Sequence, residues 1–567
     1  MGSLLILLVI FLGYLVVYKI YGKFLSKIFK LTNTNLVPSK EFNDGVDYVP
    51  TRKEIIFGHH FASIAGTGPI VGPAIAIIWG WLPALIWVFV GSVVMGAVQD
   101  FGALVISLRN KGKSISEYTS KYISPRTKFS FFLIVFLEIW IVIAIFGLVI
   151  ALIFDIFPHS VLPVWIQIII AVGLGIFIRK GTNVTVATII AVVLLYLSVF
   201  LGVFFPFEMP SIIGIPITGV WTIILLTYAY IASVLPVTIL LQPRDYINAY
   251  QLIIAMFLMI LGVIISSFKG MDIVAPVVNV KPAQAPPLFP FLFITIACGA
   301  ISGFHSLVSS GTTAKQLEKE TDAVFVGYGA MLTEGALATL VIIAVSAGIG
   351  LGYLKDGHLL TGIDAWTAHY SSWAAAKGLG SKLTAFVTGA ANMMQMAGIP
   401  KSYALALMGV FVASFAGTTL DTATRIQRYI ITEIFTSLKI NIFENKHLAT
   451  GLAIVMAALL AFSTGADGKG ALSLWPMFGA VNQTLAALAL IVITVYLRTK
   501  GGRKWIISGL PAIFMIIMTL WASILNEIDF VSQKNILLSF VNLLIILLVI
   551  FIIVEGFIKF FGIKKND

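Results

Sequence analysis

Apolar runs of about 20 residues, the length that crosses a lipid bilayer, recur throughout this 567-residue chain, and no other feature constrains its fold as strongly. They lie near 3–22, 58–79, 82–107, 128–152, 162–178, 184–204, 217–241, 247–268, 288–310, 323–352, 402–432, 447–463, 472–497, 505–524 and 536–560. Only 11% of the side chains are charged, and the mean hydropathy is +1.01. A soluble domain coats itself with about a quarter charged residues, so most of this surface must face lipid. The expected fold is an all-α polytopic membrane protein of about 15 transmembrane helices. The run Leu4–Val17 lacks a basic leader and a small-residue cleavage site, and reads as a retained span.

A further run, "LTAFVTGAANMMQMA" at 383–397, is short and partly polar. Reading it as a re-entrant or surface hairpin gives a consistent charge pattern. Of the 37 Lys and Arg residues, 29 then fall on one side of the membrane and 8 on the other. The positive-inside rule makes the richer side cytoplasmic. The N-terminus is thus expected outside and the C-terminus inside. The net charge of +12 is accounted for by these short loops, so no nucleic-acid partner is expected; the lipid bilayer is. The single cysteine, Cys298, excludes an intrachain disulfide and a multi-cysteine metal site.

The span at 58–79 reads "GHHFASIAGTGPIVGPAIAIIW". Pro69 and Pro73 lack an N–H and crowd the carbonyls four residues earlier, and three glycines ease departure from helical geometry. Two half-helices are predicted to meet near Thr67, about halfway along a segment that rises roughly 33 Å. Freed carbonyls near Ala65 suit a cation, and the N-terminus of the second half-helix suits an anionic group. Gly66, Thr67, Gly68, Ile70 and Val71 are therefore candidate substrate-binding residues.

Pro236 marks a second break, in 217–241, and adds Ser233 and Pro236 to the candidates. Five spans separate the starts of the two broken helices. An odd number inverts the second copy, the layout of an inverted-repeat secondary transporter. The expected organisation is a peripheral segment at 1–57 and a 5+5 core of the LeuT type at 58–435, followed by a four-span extension at 436–567. Repeat one would cover about 58–204 and repeat two about 217–432. The third helix of repeat two, "FITIACGAISGFHSLVSSGTTAK", carries Ser302 and His305 toward substrate. It also carries Ser309, Ser310, Thr312 and Thr313, which with Ala65 are expected to form a sodium site.

Ionisable groups at membrane depth are costly and point to function. Glu138, Glu334 and His305 are candidates for proton carriage or for binding a substrate amine. Asp100, and Asp421 four residues before Arg425, read as inner-edge ion pairs that hold helices together. His59 and His60 point about 100° apart on a helix and make only a weak metal pair, so zinc is not expected. No cofactor is expected beyond a coupling Na⁺ or H⁺.

Several strings resemble the carbon starvation protein A (CstA) family of prokaryotic transporters. They are "GHHFASIAGTGPIVGPAIA" from Gly58, "WGWLPALIWV" from Trp79, "GAVQDFGALVISLRNKGKSISE" from Gly96, "CGAISGFHSLVSSGTTAKQ" from Cys298, "DTATRIQRYIITE" from Asp421 and "LWPMFGAVNQTLAALAL" from Leu474. The resemblance implies an importer of short peptides or a small carboxylate such as pyruvate, used when preferred carbon runs out. It also implies the amino-acid/polyamine/organocation superfamily fold. No Walker A motif supports an ATP-driven pump, and no HExxH supports an intramembrane metal-dependent enzyme. A nutrient sensor that binds without transport would need a signalling domain, and none is legible. The partner is a small molecule or short peptide, and the oligomeric state is open.

Overall fold

The computed structural model describes residues 2–212 and 214–562; the last five residues of the 436–567 extension lie outside them. Numbering only the helices that build the bundle, the chain runs α1 (Gly2–Phe29), α2 (Lys53–Ile64), α3 (Gly68–Ala76), α4 (Trp81–Leu108), α5 (Thr127–Ile156), α6 (Val161–Arg179), α7 (Val184–Phe204), α8 (Ile217–Val234) and α9 (Leu241–Phe268). It continues with α10 (Leu288–Thr295), α11 (Gly303–Gly311), α12 (Gly329–Ser346), α13 (Leu379–Met396), α14 (Lys401–Ser437), α15 (Lys446–Ala461), α16 (Trp475–Thr499), α17 (Ile506–Ser532) and α18 (Ile536–Gly562). Among the described residues, 12 helices are long and apolar enough to cross a membrane. The pair α2/α3, bent by 43°, makes a thirteenth. The other two expected spans are the broken α10/α11 and the shorter α15.

The helices of the extension and of the N-terminus expose long apolar faces, such as Leu5, Leu12 and Leu15 on α1 and Ile536, Leu537 and Phe540 on α18. Helices α5, α12, α14 and α16 are buried almost all round, as expected for the centre of a membrane bundle. Loops gather at two ends. At the basic end, the 43–52 segment bonds to the ends of α8 and α11: Val237 N–H donates to Val46 O (3.0 Å) and Thr51 N–H to Gln316 O (2.9 Å). At the opposite end, Trp81 N–H donates to Pro276 O (3.1 Å) and Trp373 N–H to Ala283 O (3.0 Å).

Helix α13 lies across this opposite end. Gly380, near its start, sits beside Ile156 at the end of α5, and Met396 at its finish accepts a bond from Lys269 at the end of α9. The 383–397 run, expected as a re-entrant or surface hairpin, is one continuous helix whose two ends both lie at this end of the bundle.

The break expected at Pro236 is absent. Helix α8 is continuous to Val234, and Pro236 lies in the connection to the separate helix α9. The second break instead falls inside the 288–310 span, read from the sequence as continuous. Residues 296–302 leave the helix between α10 and α11. No proline causes this. Gly299 adopts φ +85°, which an L side chain rarely does, and polar side chains of other helices take up the freed backbone groups.

Candidate functional site

The two breaks face each other at the centre of the bundle. A Cβ added at Gly72 would lie 2.7 Å from Thr295 O, and one at Gly68 would collide with Cys298. Only glycine lets these backbones approach so closely. The unwound 296–302 stretch is held by α4 and α16. Trp87 Nε1 donates to Ile296 O (3.3 Å), Gln483 Nε2 to Phe293 O (2.9 Å), and Gln99 Nε2 to Ser302 O (2.8 Å). Asn482 Oδ1 accepts from Phe304 N–H (3.0 Å).

A cavity of about 890 Å³ begins at these breaks and runs to the opposite end. Thr67, Gly68, Val71, Cys298, Ser302, Thr419 and Asn482 line its deep part; Gln284, Trp373 and Asn535 lie along its upper part. The expected substrate residues Thr67, Gly68, Val71 and Ser302 thus meet at one cavity. Gly66 packs against Thr419 and Phe146 beside it. Ile70 and Val71 donate their N–H groups to Thr67 O, at 3.2 and 2.8 Å, so Gly68 N–H is the backbone donor left in that turn. Ser233 and Pro236 are not at the cavity. Ser233 bonds to Thr450 at 3.4 Å near the basic end, because α8 is not a broken helix.

Behind the cavity wall lies an acid–imidazole–acid chain. His305 Nδ1 is 3.3 Å from Asp100 Oδ2, and its Nε2 is 3.3 Å from Glu334 Oε2. Glu334 Oε1 accepts from Gly299 N–H (2.9 Å), tying the chain to the break. All three side chains are fully buried. Asp100, read from the sequence as an inner-edge ion pair, belongs to this central chain instead. Glu138 is buried on α5, and neither of its oxygens has a partner among the described residues. It sits one turn before Val142, which lines the cavity.

The four hydroxyls expected in a sodium site have separate surroundings. Ser310 donates to Ser306 O (2.7 Å), Thr312 to Val308 O (3.2 Å), and Thr313 Oγ1 bonds His60 Nδ1 (2.9 Å). Ser309 is buried without a partner, and no hydrogen bond joins any of the four to Ala65 among the described residues. His59 and His60 diverge. His59 Nδ1 meets Asp245 Oδ2 at 2.6 Å, while His60 turns toward Thr313.

The floor below the breaks is closed by ion pairs that the sequence paired differently. Asp421 does not pair with Arg425. It binds Arg244, whose Nη2 also reaches Asp245 Oδ1 (2.7 Å) and whose Nη1 donates to Tyr228 (2.6 Å). Arg425 and Arg428 grip Asp47 of the 43–52 loop at 2.6 and 3.0 Å. Burial raises the Asp47 pKa, but the guanidiniums of Arg428 and Arg425 outweigh it and hold this carboxyl well below its usual range.

A polytopic bundle in which two unwound helices meet over a deep cavity is the construction of a secondary transporter. The chain belongs to the carbon starvation protein CstA family, whose description, "Carbon starvation protein CstA", matches residues 2–522. It is 34% identical to the "Peptide transporter CstA" of Campylobacter jejuni, over 90% of this chain and 78% of that one. It is 34% identical to the "Pyruvate/proton symporter BtsT" of Escherichia coli K12, over 90% and 79%. The "Peptide transporter CstA" of Bacillus subtilis 168 is also 34% identical, over 89% and 87%. Among solved structures, a manganese transporter of Eremococcus coleocola superposes with a TM-score of 0.51 at 14% identity, over 91% of this chain and 98% of that one. That likeness is one of fold.

Proposed function

We propose that this chain imports short peptides or a small carboxylate such as pyruvate, in symport with protons, across a prokaryotic inner membrane. The observation that carries the reading is the cavity itself: its deep end is built from both helix breaks, and its floor is sealed at the basic end. With the positive-inside rule placing that end in the cytoplasm, the cavity faces outward, the N-terminus lies outside, and the chain crosses fifteen times. Relatives named for peptides and for pyruvate with protons support both substrate classes. Each offers a carboxylate to Gly68 N–H, with the Asn482 amide and Ser302 opposite.

The Asp100–His305–Glu334 chain is the proposed proton store, with Glu138 as a second acid near the floor. The inverted repeat is recast around the breaks at α2/α3 and α10/α11. These lie seven crossings apart, again odd. The units become α2/α3, α4, α5, α8, α9 and α10/α11, α12, α14, α15, α16, with α6–α7 inserted in the first. Their packing supports this: α5 and α14, the third members of the two units, pair at the centre.

The test is uptake of labelled dipeptide and labelled pyruvate into proteoliposomes under imposed pH or Na⁺ gradients. An inward proton gradient should drive accumulation. Glu334→Gln should abolish accumulation but spare exchange, which needs no net proton movement. Accumulation driven by Na⁺ at constant pH, lost in Thr313→Ala and kept in Glu334→Gln, would overturn the proton assignment.

A further inference from the structure

His305 and Glu334 do not make a good hydrogen bond to each other. Their facing atoms, Nε2 and Oε2, are 3.3 Å apart, and neither has a hydrogen-bond partner among the described residues. A charge-assisted N–H···O bond would close to about 2.8 Å. Two ligands each about 2.05 Å from a tetrahedral zinc ion are separated by about 3.3 Å. The pair is thus spaced as one edge of a coordination tetrahedron.

A third ligand stands beside them. Cys298 Sγ, a His305 ring nitrogen and a Glu334 carboxylate oxygen all lie within 4.8 Å of one another. A tetrahedral edge from sulfur is about 3.6 Å, so Cys298 has roughly an ångström to close. It sits in the non-helical 296–302 stretch, where no helix ladder resists that movement. The outer shell is also in place. Asp100 stands 3.3 Å from the other ring nitrogen of His305, as a carboxylate stands behind a metal-bound histidine. Gly299 N–H holds the remaining Glu334 oxygen. Cys298 also lines the cavity, which supplies an access route and an open fourth position.

We propose that Cys298, His305 and Glu334 bind one zinc-class divalent ion at the root of the cavity, leaving its fourth position open to water or to a substrate carboxylate. One thiolate, one imidazole and one carboxylate suit zinc better than magnesium or calcium. The ion would use the lone pairs that otherwise take protons, so acid should expel it.

Metal binding by the purified full chain tests this without any transport measurement, so the proposal and the transport reading can fail separately. Cys298 is the chain's single cysteine, so thiol alkylation reports it alone. Zn²⁺ should slow that alkylation tenfold or more, and an unchanged rate overturns the proposal. Co²⁺ should bind one per chain with a thiolate-to-cobalt absorption band. The band should vanish in Cys298→Ser, and His305→Gln and Glu334→Gln should each weaken binding at least tenfold. The melting temperature of each metal-free variant checks its fold. Binding equal to the native chain in all three variants would sink the site.

Discussion

At the scale of single residues, the buried charges of this protein are paired by position in space. Asp245 holds both His59 and Arg244, and all three side chains are buried. Asp245→Ala leaves His59 without its carboxylate and Arg244 with Asp421 as its remaining acidic partner among the described residues. Breaking a buried pair in this way costs about 3–5 kcal/mol, so the melting temperature in detergent should fall clearly below that of Asp272→Ala, an exposed aspartate. Gly299 offers a second residue-scale expectation. Alanine there pays about 1–2 kcal/mol for a left-handed backbone, and its Cβ would lie 2.7 Å from that of Ala338. Gly299→Ala should therefore destabilise the chain more than Gly173→Ala, where the added methyl meets open space. The candidate residues Thr67, Gly68 and Val71 were legible because Pro69 and a cluster of small residues announce a break locally, and Ser302 because hydroxyls recur at helical spacing along its segment. The role of Asp100 was not. Its neighbour His305 lies on a helix two hundred residues further on, and spacing along the chain says nothing of that contact.

At the scale of elements, the 43–52 loop acts as a latch. Asp47 fastens it to α14 through two arginines whose other N–H groups hold the carbonyls of Ala232 and Ser233 on α8. Asp47→Asn should loosen the closed floor, seen as faster labelling of a cysteine placed at Thr51 in a Cys298→Ser background. The pH dependence follows from the depressed Asp47 carboxyl. Such a group stabilises above its unfolded value of about 3.9 and loses that contribution only as pH falls toward its lower folded value. Labelling in the parent chain, taken relative to a free thiol at each pH to remove the change in thiolate fraction, should therefore stay flat from about pH 8 to 5, whereas a latch that opened within that window would show another titrating group in control. The first broken helix is equally an element-scale object. Substrates whose carboxyl is blocked as an amide or ester should compete at least tenfold less well, since a hydrogen bond to a charged group contributes roughly 1.5–3 kcal/mol. Equal competition by the blocked analogue would remove Gly68 N–H from the binding site.

At the scale of the whole molecule, the placement of 29 Lys and Arg residues on one side sets a testable orientation. A cysteine in the 269–287 loop, in the Cys298→Ser background, should react with an impermeant reagent from outside intact cells. One in the 109–126 loop should not. The sequence by itself determined the membrane class, the course of the apolar helices and the first break. Each follows from a local or additive property: the length of an apolar run, a missing proline N–H, a sum of charges. Only the tertiary structure decided where the second helix breaks and which charges meet. That break needs no proline, because Trp87, Gln99, Asn482 and Gln483 arrive from two other helices to satisfy the freed backbone. Arg425 passes over Asp421, four residues away, for Asp47, 378 residues distant. In a bundle buried in lipid, a charge takes the partner that packing brings to it, and packing is a property of all the helices together.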